Sequence, residues 1–108
     1  MRNLIVIAAL GLAACKSTPP CEDKVEAFVI SQTFIERQLR SPSTAEFPSI
    51  TDAGVSVIPT TLASGQCAFE VSMPVDAQNA FGGTVRQSFW LIVSPENGSW
   101  NLEEIRAY

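Results

Sequence analysis

Apolar and polar residues alternate most regularly in the second half of the chain. Cys67, Phe69, Val71, Met73 and Val75 are interleaved with Ala68, Glu70, Ser72, Pro74 and Asp76, the period of two that marks a half-buried strand. Over residues 84–93, Val85, Phe89, Leu91 and Val93 share one face, with Gln87 interrupting it. Residues 55–58 form a shorter run stopped by Pro59, and residues 100–106 follow the turn sequence Ser94-Pro95-Glu96-Asn97-Gly98. Earlier in the chain the period becomes helical. At about 100° per residue, Val25, Phe28, Val29, Ile35 and Leu39 gather on one side, with Gln32 in their midst. Thr18 and Pro19, then Glu22 and Asp23, supply a capping hydroxyl, an early proline and carboxylates near the positive end of the helix dipole. Ser41-Pro42 disfavours continuation, so a helix is predicted over 21–40.

These elements predict an α+β domain, with one amino-terminal helix packed across an antiparallel sheet of about four strands. Its outline is reminiscent of the cystatin-like arrangement, an analogy of shape without functional weight. A second stripe, Ala27, Ile30 and Phe34, lies nearly opposite the first. One stripe packs on the sheet, and the other needs cover from residues 43–58 or from another molecule. In the loop-like segment 41–54, Phe47 and Ile50 are the candidate anchors. Pairing Asp76 with Thr84 sets Phe69 opposite Leu91 and Val71 opposite Phe89, and turns Cys67 toward the helix. Pro74 within the strand predicts a bulge or irregular pairing nearby. The outward face then carries Glu70, Ser72, Asp76, Thr84, Arg86, Ser88, Trp90 and Ile92. Trp90 and Ile92 stand out there, as an edge covered by a loop or as a docking patch.

The first fifteen residues give an address. Arg2 is followed by an apolar run over 4–14, too short to span a bilayer permanently, so it reads as a cleaved export signal. Its ending, Leu12-Ala13-Ala14-Cys15, resembles the lipobox of bacterial lipoprotein precursors. That resemblance implies a signal peptide over 1–14, a diacylglyceryl thioether on Cys15, and a lipidated terminus and short stalk over 15–20 ahead of a small domain over 21–108. Several acyl chains together hold a protein at a membrane essentially permanently. Lys16 is not the Asp that retains lipoproteins at the inner membrane of diderm bacteria, so the resemblance points to the outer membrane of a two-membrane host. With Cys15 lipidated, Cys21 and Cys67 remain in an oxidising compartment, and they form either a disulfide or two buried thiols.

Charge and composition narrow the chemistry. The chain of 108 residues has 7 basic and 11 acidic side chains and no histidine. Residues 1–14 hold one basic residue and no acidic one, so the remainder has a net charge of −5. Such a surface is repelled by anionic lipid and by nucleic acid, leaving the lipid tail to anchor the protein. Without histidine there is no Ser-His or Cys-His pair, and the carboxylates show no acid–base spacing. There is no CxxC, no Asp-rich loop and no phosphate-binding loop, so neither a metal nor another cofactor is expected, nor enzymatic activity. The stretch from Asp76 to Arg86 is the most distinctive polar segment. In one reading it is a hairpin loop where Asn79, Gly82 and Gly83 supply positive φ and Asp76 pairs with Arg86. In the other it is a recognition tip, with Phe81 exposed and Gln78 and Asn79 offering hydrogen bonds.

Two segments, Leu39-Arg40-Ser41-Pro42-Ser43-Thr44-Ala45-Glu46-Phe47-Pro48 and Val75-Asp76-Ala77-Gln78-Asn79-Ala80-Phe81-Gly82-Gly83-Thr84-Val85-Arg86, carry a family resemblance. They resemble a family of small bacterial and prophage proteins of uncharacterised function, often lipoproteins, with the patterns LxSPSTAxFP and VDxQNxFGxxxR and a later tryptophan, here Trp100. The resemblance spans about residues 28–102 and brings no activity with it. Two functions fit the chain. The first is a membrane-anchored envelope module that binds an outer-membrane or periplasmic protein through the outer sheet face or the second helix stripe; a prophage version would block a receptor and exclude superinfecting phage. The alternative is a small-ligand-binding or enzyme-accessory domain, with a pocket near Gln32 and Gln87.

Overall fold

The computed structural model describes residues 18–108. The lipobox and Cys15 lie outside the described residues. Helix α1 spans Lys24–Glu36, and strands β1 (Ser56–Thr61), β2 (Cys67–Gln78), β3 (Thr84–Glu96) and β4 (Ser99–Ala107) form one antiparallel sheet in the order β1-β2-β3-β4. The domain is thus α+β, with the helix lying across the sheet and touching β1, β2 and β3.

The helix is shorter at both ends than the predicted span 21–40. Pro19 and Pro20 do not begin it; they open a separate 3-10 turn, Pro20–Glu22. The capping residue is Asp23, whose side chain accepts from the Glu26 backbone N–H at 2.9 Å, rather than Thr18. After Arg37 the chain turns, and a second 3-10 turn, Pro42–Thr44, follows.

The buried face of α1 lies between the two stripes named above. Ala27, Phe28, Ser31, Phe34 and Ile35 are buried, whereas Val25 and Val29 are 60% and 53% exposed. The small residues Ala27 and Ser31, one turn apart, let the helix axis approach the sheet closely. Ser31 satisfies its own hydroxyl on the Ala27 carbonyl at 2.8 Å, so it enters the core without an orphan polar atom. Val25 and Val29 fall on the far side of that centre line. The stripe of Ala27, Ile30 and Phe34 belongs to the core: Ala27 and Phe34 are buried and Ile30 packs against the cluster.

The sheet's inner face follows the predicted parity. Phe69, Val71, Met73, Val75, Phe89, Leu91 and Val93 are all buried. The register is two residues away from the expected one: Gln78 rather than Asp76 pairs with Thr84, Phe69 faces Val93, Val71 faces Leu91 and Met73 faces Phe89. A shift of two leaves every side chain on its face, which is why the core is unaffected. Pro74 pairs regularly with Ser88. Asp76 exchanges both backbone bonds with Glu46, so the nitrogens of Asp76 and, by parity, Pro74 point toward the β1 side. There Pro74 meets the gap between Ser56 and Glu46, and no ladder bond is lost. The sheet's irregularity falls instead between Ile92 and Val93, against β4. Strand β1 runs through Pro59, since an edge strand tolerates a missing donor. β3 and β4 are joined by Asn97-Gly98, both with positive φ (51° and 82°), the geometry a two-residue hairpin turn requires.

A disulfide joins Cys21 to Cys67 with Cα atoms 5.9 Å apart, pinning the chain ahead of α1 to the start of β2. From that point β2 runs twelve residues, about 36 Å at roughly 3.3 Å per residue, to the far end of the sheet. Among the described residues no helix is long and apolar enough to cross a membrane.

Candidate interaction surface

The far end is a hairpin that outreaches the helix. Its turn, Asn79 to Gly83, is closed by the Asn79 N–H donating to the Gly83 carbonyl at 2.9 Å and the Gly82 N–H donating to the Asn79 carbonyl at 3.1 Å. The Asn79 side-chain oxygen also accepts from the Phe81 and Gly83 N–H groups, at 2.9 and 3.0 Å. One amide thus fixes the whole tip. Gly82 takes a positive φ of 82°, but Asn79 and Gly83 do not, so asparagine works here through its side chain and not through a left-handed backbone. Phe81 is 95% exposed on this fixed turn.

One step below, Arg86 grips Asp76 across the strands, with Nε and Nη2 donating to the two carboxylate oxygens at 2.8 and 3.0 Å. The Arg86 hydrogen bond, assisted by its charge and opposed by partial desolvation, holds the Asp76 carboxyl below its ordinary value of 3.8. The backbone N–H of Gln78 donates to Thr44 Oγ1 at 2.9 Å, and Glu46 bridges Asp76, so the segment after α1 is stitched along this edge of the hairpin. The two family-like segments, 39–48 and 75–86, therefore meet in space.

The concave side of the hairpin holds a groove of about 300 Å³. Leu39, Val75, Ala77 and Val85 form its apolar part, with Gln38, Arg40, Asn79 and Gln87 among its polar lining. Gln87 lies where the sequence placed it, on the inner face, but beyond the end of α1, and it is solvated. Gln32 does not line the groove, so the expected pairing of Gln32 with Gln87 around one pocket is replaced by Gln38 and Gln87.

On the outward face Trp90 sits between Ser72 and Arg106, and the Arg106 guanidinium lies over its ring, 5.1 Å from the centroid. Arg106 is itself held by Glu104, its Nε donating at 2.7 Å. Ile92 lies between Glu70 and Glu104. Two further residues, absent from the face expected from sequence, lie on it. Ile58 pairs with Glu70 and is 52% exposed, and Tyr108 exchanges both backbone bonds with Ser88. Both follow the alternation of their strands, and extending the runs over 55–58 and 100–106 by parity would have found them.

Trp90 and Ile92 thus share the face of Arg86, while Gln78, Asn79 and Phe81 stand at its far end. Among the described residues no group of three or more His, Cys, Asp or Glu side chains is arranged to hold a metal ion. No family model, curated protein or solved structure matches the chain.

Proposed function

With no relative to lend it an activity, we propose that this chain is a lipid-anchored module of the bacterial envelope that binds a protein partner with its far hairpin and outward sheet face. The observation that carries the reading is Phe81, a large apolar ring 95% exposed on a turn locked by Asn79. A side chain held in solvent contributes nothing to the core, and a rigid turn removes the ordering cost that a flexible loop incurs on binding. Trp90, Arg106, Arg86 and Tyr108 on the adjoining face are of the residue types that anchor interfaces.

Anchorage rests on the lipobox-like Leu12-Ala13-Ala14-Cys15, with the Lys16 rule favouring the outer membrane. The resemblance to small bacterial and prophage lipoproteins belongs to the same proposal, and with it receptor blocking or superinfection exclusion as the role of a phage-borne copy. So does the cystatin-like outline, which carries no functional weight. The groove beside Gln87 supports the second reading, a small-ligand or accessory domain, because polar side chains ring an apolar floor there.

Photo-crosslinking from position 81 in intact cells, with the anchor retained, tests the main reading. A discrete crosslinked protein is expected, and Phe81→Ala is expected to lose that partner while leaving thermal stability within about 0.5 kcal/mol of wild type, as befits an exposed side chain. Unfolding of Phe81→Ala, or crosslinks to lipid alone, would overturn it.

A further inference from the structure

The sheet has four stretches of main-chain edge, and three are blunted. β1 carries Pro59 and is short. The far part of β2 is occupied by Glu46 and Thr44. β4 carries Glu103, Glu104 and Arg106 and the irregularity opposite Ile92 and Val93. The fourth is the far part of β3, from Thr84 to Gln87. β4 pairs with β3 from Glu96 back to Phe89, and Tyr108 extends the ladder by one residue to Ser88.

Parity settles which groups point out of this edge. Ser88 exchanges both its backbone bonds with Tyr108, so its N–H and C=O face the β4 side, and those of Arg86 and Thr84 face the same way. Asp76, directly opposite Arg86, spends both its backbone groups on Glu46, which makes the same assignment from the other strand. Among the described residues the N–H and C=O groups of Thr84 and Arg86 have no protein partner. They form a row of two donors and two acceptors in line with the β3–β4 seam.

We infer that this edge accepts an extended segment of the partner protein as an added strand, continuing the line of β4 beside Thr84–Gln87. The inference rests on the proposed role of the far hairpin and names how the partner is held. Side chains supply the selectivity. On the concave side the added strand lies beside Val85, 48% exposed, at the rim of the groove whose floor is Leu39, Val75 and Ala77. An apolar residue of the partner fits there. Its neighbours in sequence emerge on the outward face beside Thr84 and Arg86, where polar residues fit, and Arg86 is already neutralised by Asp76. The occupant is therefore an extended peptide with an apolar residue flanked by polar ones.

The test uses the full lipidated chain in detergent and a library of short random peptides. Selected peptides are expected to alternate apolar and polar residues, and to slow hydrogen exchange at the Thr84 and Arg86 amides. Thr84→Pro removes one edge donor at the first position of the strand, where proline is tolerated, and is expected to weaken these peptides about tenfold, the effect of one hydrogen bond left unmade. Retained hairpin shifts in the spectrum of Thr84→Pro show that it has folded. Peptides without alternation, or exchange unchanged at both amides, would overturn the edge pairing. So would protection of those amides that depends on protein concentration without peptide, since it would make a second copy the occupant. In cells the two readings separate: a partner lost in Phe81→Ala but kept in Thr84→Pro retains the far hairpin as the binding surface and removes strand addition. A partner lost in both variants sustains both, one lost in Thr84→Pro alone sustains strand addition and removes Phe81 from the binding surface, and a partner kept in both variants removes both.

Discussion

Asp76 ties the hairpin together at one residue pair, and its protonation has a definite sign. The Arg86 guanidinium donates two hydrogen bonds to the carboxylate and adds a favourable charge, so the folded-state pKa lies below the ordinary 3.8. A depressed acid contributes stability that is fully present above the unfolded value and is lost as pH falls through the folded one. With the Arg86 side chain 70% exposed, the pair is screened by salt and its contribution is small. A carbon-detected NMR titration of Asp76 is expected to give a midpoint below 3.8, moving up toward 3.8 in Arg86→Ala and in high salt. An unmoved midpoint in Arg86→Ala would show that the pair does not form in solution. The ion pair was legible from sequence as opposite charges flanking a glycine-rich turn, but the expected register set Asp76 opposite Thr84, and it is the shift of two that brings it directly opposite Arg86. The role of Asn79 was not: its side chain, rather than its backbone angle, closes the tip, and that depends on the turn being tighter than the expected one.

At the scale of elements, the disulfide adds a covalent tie to a helix and sheet that already share one core. Helix α1 touches three strands but covers only the near part of the sheet, and the chain before it is tied by Cys21 to Cys67. A sequence separation of 46 gives about 4 kcal/mol in the chain-entropy view of a disulfide. That is a large share of the few kcal/mol by which a domain of this size is stable. The Cys21→Ala/Cys67→Ala variant is expected to unfold at lower denaturant, in a steeper transition because the unlinked chain exposes more surface, with a loss of about 4 kcal/mol. A loss below about 1 kcal/mol would mean that the 3-10 turn and the helix hold themselves in place. The strands were the legible elements, because a period of two survives any even shift in register: Phe69 met Val93 instead of Leu91, and the core was the same. The helix was less legible. Its apolar residues are spread around the axis, and the face that packs is chosen by the small residues Ala27 and Ser31, which a count of large apolar side chains passes over. Val25 and Val29, grouped by sequence with Phe28 and Ile35 in one stripe, are therefore exposed while those two are buried.

On the scale of the whole molecule, the Cys21–Cys67 bond and the Phe81 tip lie at opposite ends of β2. The Cys21–Cys67 bond fixes the start of the domain beside the β3–β4 turn, where Pro20 and Cys21 share a surface cleft with Asn97, Gly98 and Trp100. Gln66 reinforces that pole by donating its side-chain amide to the Pro95 carbonyl at 2.7 Å. The Phe81 tip stands at the other end of β2, about 36 Å away at roughly 3.3 Å per residue. Under the proposed lipidation of Cys15, six residues ahead of Cys21 in sequence, the Asn97-Gly98 turn is expected to face the bilayer and Phe81 to be held away from it. The net charge of −5 on residues 15–108 opposes the domain lying flat on anionic lipid. In nanodiscs doped with a nitroxide lipid, the amides of Asn97 and Gly98 are expected to broaden, while those of Phe81, Gly82 and Gly83 stay sharp. Equal broadening of the two turns would mean that the domain lies along the surface and that the outward face meets lipid. Broadening confined to the far turn would make Phe81 a membrane-inserting residue and remove it from protein recognition. The sharp far turn expected instead would leave the β3 edge and its groove open to the proposed partner, at a distance from the bilayer that the length of β2 sets.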